Sequence, residues 1–159
     1  MTIVSVFTVD NSPALADQIP YIKGGNLNRL TSITGLLKLV KRPIIIAVGD
    51  ETTILETGTV KVTIRVPMAF TVDEVRASLT TAGTGAALVT VDINEGGTSI
   101  LSTKITIDAT EKTSETAATA PVISDSSLAD DAEITIDIDT IDTDNVATGL
   151  KVTIIGHET

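Results

Sequence analysis

The sequence predicts an all-β protein, a β-sandwich or jelly roll of about seven to nine antiparallel strands behind an extended N-terminal arm. Three observations predict it. The apolar residues are mainly Val, Ile, Leu and Ala, aromatics make up only 2% of the 159 residues, and abundant Val, Ile and Thr favour strands over helices. From Ile44 onward, apolar residues recur with a period of two in short runs. Those runs are separated by Gly, Pro, Asn and Asp, the residues that make turns.

Residues 1–42 read as the arm and residues 43–159 as the sandwich, with Arg42-Pro43 at the boundary. The arm shows little regular alternation. It is interrupted by Ser12-Pro13, Ile19-Pro20, Gly24-Gly25, Asn26 and Asn28, and carries short apolar pieces at Ile3–Phe7 and Leu36–Val40. Such a segment is too apolar for a free tail and too broken for a domain. It is expected to order itself on another surface, or else to lie back on its own sandwich.

Within the sandwich, Ile44–Val48 is a continuous apolar run before Gly49-Asp50, which predicts a strand buried on both faces. Val60, Val62, Ile64 and Val66 alternate with Lys61, Thr63 and Arg65. Phe70–Val72 and Val75–Leu79 keep the period of two. Thr81–Gly85 predicts an exposed loop. Ala87, Val89, Val91 and Ile93 form the next inward face, and Gly96-Gly97 marks a tight hairpin into the apolar run from Ile100 to Ile107. Glu111–Ala118 reads as loop, Val122-Ile123 as a short strand and Asp125–Asp131 as a long polar turn. Ile134, Ile136 and Ile138 alternate with Thr135, Asp137 and Asp139, and Leu150, Val152 and Ile154 make the last strand. Only Leu36–Val40 and Asp73–Leu79 admit a helical reading, and neither exceeds two turns.

Charge divides the chain unevenly. Of 11 basic and 21 acidic residues, five and two fall in residues 1–42, so that segment carries +3 and the remainder −13. So acidic a body repels nucleic acid and anionic membranes, and neither is expected as a partner. The N-terminus lacks the basic start of a secretory signal, so no targeting peptide is expected.

Catalytic chemistry is not expected. The chain has no Cys, and its one His, His157, stands near the C-terminus, where a frayed, exposed side chain is the simplest reading. Cys/His and Ser/His/Asp arrangements and thiolate metal sites therefore fail. Gly83-Thr84-Gly85 and Gly96-Gly97 are turn glycines rather than phosphate loops. No cofactor is expected. One metal reading remains, with Asp137, Asp139, Asp142 and Asp144 as the nearest approach to a hard-oxygen calcium set. Their spacing matches no EF-hand loop, and a solvated acidic face competes with it.

From about Arg42 to Gly156 the chain resembles a β-sandwich module of tailed-bacteriophage virion proteins, found in capsid cement (decoration) proteins and in tail-fibre tips. The likeness lies in IIIAVGDETTILETGTVKVTIRVPMAFTVDEVRASLTTAGTG, VDINEGGTSILSTKITIDATEKTS, VISDSSLADDAEITIDID and GLKVTIIG. It is a likeness of strand order and turn wording, with no site motif to carry over. It implies a homotrimer on the outer capsid surface, assembled in the host cytoplasm and bound to the major capsid protein. The alternative is a fibre tip touching the host cell. The mildly basic leading segment without shaft-like repeats favours the capsid. Phe7, Tyr21, Lys23, Arg29, Leu37, Lys38, Lys41 and Arg42 are then the expected partner-binding residues, the apolar ones adding contact area and the basic ones meeting acidic faces.

Overall fold

The computed structural model describes residues 18–23, 26–32 and 40–159. Two compact units divide at Val40/Lys41. In the first, β1 (Gln18–Lys23) and β2 (Asn26–Ser32) pair antiparallel, Tyr21 opposite Arg29 and Lys23 opposite Asn26. This hairpin is not announced by alternation. Its signal is local: the sequence puts Gly24-Gly25 between the strands, the residue types a two-residue hairpin loop favours.

The second unit is all-β, as its composition requires. Its strands are β3 (Arg42–Ala47), β4 (Gly58–Arg65), β5 (Phe70–Ser78), β6 (Val89–Glu95), β7 (Thr98–Ser99), β8 (Leu101–Thr103), β9 (Ile105–Ile107), β10 (Val122–Ile123), β11 (Ser127–Leu128), β12 (Glu133–Thr140) and β13 (Lys151–Glu158). One sheet runs β11-β5-β13-β3. The other runs β4-β12-β6, with β7 and β9 both on the far side of β6. All pairings are antiparallel, and the chain changes sheet at each step from β3 to β6 and again from β11 to β13. This is a jelly roll, a sandwich whose consecutive strands face each other across the core.

The inner faces carry the core. Ile134, Ile136 and Ile138 of β12 meet Val152 and Ile154 of β13, Val91 and Ile93 of β6, and Val72 and Val75 of β5, all buried. Phe70 is the one aromatic among them. Alternation therefore sets which face each strand buries, since successive side chains point to opposite sides. Gly96 and Gly97 take φ of 55° and 86° between Glu95 and paired Thr98, the left-handed pair of a tight hairpin turn.

Three expectations are corrected. β3 is an edge strand buried on one face only: Ile46 lies inside while Ile45 is 66% exposed. Its unbroken apolar run hid which side faces water. The Thr81–Gly85 loop is not free in solvent, because Gly83 and Gly85 are buried so close to Asp142 and Thr143 that a Cβ at either would overlap them. The polar turn Asp125–Asp131 contains β11, where Leu128 pairs with Phe70 and is buried. Of the two readings open for Asp73–Leu79, the period of two is the one observed, since Asp73–Ser78 belongs to β5. Within the predicted loop Glu111–Ala118, a single 3-10 turn at Ser114–Thr116 lets the buried Ser114 hydroxyl accept from Ala77 N–H at 2.9 Å.

Candidate functional site

His157 is not frayed. It lies in β13 opposite Thr71, its side chain is only 20% exposed, and its Nδ1 sits 3.2 Å from Asp73 Oδ2. Lys41 Nζ approaches the same carboxylate at 3.9 Å. Among the described residues the ring makes no hydrogen bond to a hydroxyl. The nearby open groove of about 450 Å³ is lined by Asp73, Glu74, Glu115 and Val122. Its Glu74 and Glu115 are matched by Arg76, at 2.5 and 3.1 Å from Nε.

The four calcium candidates are not brought together. Asp137 accepts from Val60 N–H at 2.6 Å and from the Asn94 amide at 3.1 Å. Asp139 pairs with Lys104 at 2.6 Å. Asp142, buried, accepts from Val146 and Ala147 N–H at 3.1 and 3.3 Å, and Asp144 accepts from the Thr84 hydroxyl at 2.9 Å. Each carboxylate thus fastens a different piece of backbone or side chain. No group of three or more potential ligands gathers among the described residues.

A polar network on the outer face of β6 and β12 was not legible as such. Asp92 is 4% exposed although its side of the strand faces away from the core. The chain after the Gly96-Gly97 hairpin folds over it. Ser99 donates to Asp92 at 2.6 Å, and Lys104 bridges Asp92 at 3.0 Å and Asp139. Hydrogen bonds to Asp139 and then Asp92 hold the Lys104 ammonium above its usual pKa. The sequence signal was an Asp inside the alternating run of β6 with a Lys beyond the hairpin. Pairing them required the fold-over, which periodicity does not encode.

Of the expected partner-binding residues, Phe7, Leu37 and Lys38 lie outside the described residues. Tyr21 and Lys23 fall in β1 and Arg29 in β2. Lys41 and Arg42 begin the second unit and face its own acids: Lys41 the Asp73 carboxylate, Arg42 the Glu158 carboxylate at 3.3 Å and Met68 Sδ at 3.7 Å. Both pairs are largely exposed and contribute little to stability.

The edges of the two sheets differ. β4 is broken where Thr59–Lys61 stand opposite Asp137, with Val60 left-handed at φ 54° and 58% exposed. A bulge of this kind stops a further strand from adding. β11 is two residues long, and the edge formed by β7 and β9 is interrupted by β8. Within the two sheets of the second unit, β3 offers the one continuous edge among the described residues. Comparisons of the chain with protein-family models, with curated proteins and with solved structures find no match.

Proposed function

We infer that the chain is a non-enzymatic structural attachment module, a capsid cement or decoration protein of a tailed bacteriophage that binds the outer surface of the head and stabilises it. The observation that carries this reading is the division of charge, +1 on residues 1–40 against −11 on the jelly-roll unit, residues 41–159. A basic, partly apolar leading segment suits a role at junctions between subunits, where each apolar Å² removed from water contributes about 25 cal/mol before ordering costs. The body supports it from the other side. Asp137, Asp139 and Asp142 each satisfy neighbouring backbone or side chains, as expected of a rigid spacer. The resemblance to virion sandwich modules points the same way, and a threefold arrangement on the shell is its implication.

The second reading is a fibre tip that contacts the host. The two separate in one experiment with labelled full-length chain, offered in parallel to heads of the encoding phage and to susceptible cells. A cement protein binds heads saturably and raises the temperature at which they release DNA, without blocking infection. Binding to cells with inhibition of infection, and none to heads, would replace it with the fibre reading.

A further inference from the structure

The ladder of β3 shows which of its backbone groups are spare. Val48 N–H donates to Leu150 C=O, and Ile46 and Ile44 pair with Val152 and Ile154. Antiparallel ladders alternate, so Ile44 and Ile46 turn their polar groups to β13 while Pro43, Ile45 and Ala47 turn theirs outward. Pro43 has no N–H to waste there, the placement proline takes on an edge strand. The side chain of Ile45 stands on the outer face opposite half-buried Thr153, with exposed Pro43 and its partner Ile155 two residues along. The remaining edges of the second unit's two sheets are broken or short, so β3 is the open edge of that unit.

We propose that the β3 edge is a self-association surface, which pairs antiparallel with β3 of a second copy across a twofold axis at Ile45. This joins two four-stranded sheets into one continuous sheet. The two Ile45 residues exchange main-chain hydrogen bonds, and Ala47 N–H reaches the Pro43 carbonyl of the other copy, about four bonds in all. The exposed Ile45 side chains then cover each other at cross-strand distance.

Charge favours the second copy as the occupant. In this register Lys41 and Arg42 of one chain, which also face Asp73 and Glu158 of their own chain, run alongside Val48-Gly49-Asp50 of the other. Asp50 is held in place at that end, its Oδ1 accepting from Thr52 and Thr53 N–H at 2.8 and 2.6 Å. Basic start thus meets acidic end twice, once on each side of the axis. A parallel or shifted pairing loses one of those contacts or the Ile45 match. The contact is smaller than a standard interface, so assembly is expected to be weak and visible at about 100 μM. This inference does not depend on the attachment reading, since it needs only the described strand and a second chain.

The test uses the full-length chain. Ile45→Pro deletes the outward N–H without removing a bond to β13, and Ile45→Lys sets two like charges face to face on the axis. Sedimentation at rising concentration is expected to show a two-copy species for the parent chain and a single copy for both variants, with melting curves unchanged. Because the chain contains no cysteine, Ile45→Cys reports the register directly. It should form a disulfide-linked pair ~tenfold faster than Val60→Cys on the bulged edge, since facing Cα atoms about 5.5 Å apart suit a disulfide. A parent chain that stays single, a three-copy species indifferent to both substitutions, or an Ile45→Cys no faster than Val60→Cys would each overturn the proposal. The last is also the result if the chain's own N-terminal segment occupies the edge.

Discussion

At the scale of single residues, the buried polar groups of this protein work as fasteners. Asp142 holds Val146 and Ala147 N–H and backs Gly83, so it ties the segment before β13 to the loop before β6. Asp142→Ala strands two donors and opens a gap, and is expected to cost about 2–3 kcal/mol in chemical denaturation. Lys104→Met leaves Asp92 covered with no cation. A loss of about 2 kcal/mol is expected, and Asp92→Asn in the same chain should recover part of it. Asp50 and Glu51 contribute to the response to acid. The Thr53 hydroxyl and then the Thr53 and Thr52 N–H groups hold the Asp50 carboxyl far below its ordinary pKa. Hydrogen bonds from Lys151 and then Thr80 lower that of Glu51. A depressed carboxylate stabilises the fold above its unfolded pKa and loses that contribution as pH falls towards the folded one. Thermal melts should therefore decline below about pH 4, and Asp50→Asn should flatten that decline.

At the scale of elements, the bulge in β4 is the clearest departure from regular strand. Val60 holds a left-handed backbone that β-branched residues avoid, anchored through its N–H by Asp137. Val60→Asn relieves this without adding unfolded-state freedom and is expected to raise stability by about 1 kcal/mol, read as a higher melting temperature. Asp137→Ala should act in the opposite direction. The elements also show what a sequence can and cannot convey. β12 and β13 were legible because Ile134, Ile136, Ile138, Val152 and Ile154 alternate with polar residues on a strand whose two faces differ. The β6–β7 hairpin was legible because Gly96 and Gly97 supply the dihedrals it needs. β3 was misread because Ile44, Ile45 and Ile46 look alike whether one face is buried or two, and only its position beside β13 decides. β11 was missed because two residues cannot show a period; Leu128 alone reaches the core. The acidic residues were misleading for a related reason. Asp137, Asp139, Asp142 and Asp144 are close in sequence, yet a strand end and a turn send them to four different partners.

At the scale of the whole molecule, two properties frame the functional account. The jelly roll has a continuous aliphatic core of its own within residues 41–159, so that unit does not need residues 1–40 to bury its apolar faces. The charge of the chain is polarised along its length, +1 over residues 1–40 against −11 over residues 41–159. Together they assign attachment to the leading segment and rigidity to the body. The most direct test compares the full chain with a chain lacking residues 1–40, each offered to heads stripped of the native protein, with occupancy read by quantitative electrophoresis of the purified particles. The account predicts that the shortened chain keeps its β-sheet spectrum and a cooperative melt while its occupancy falls to background. A shortened chain that still fills the heads to the level of the full one would contradict it.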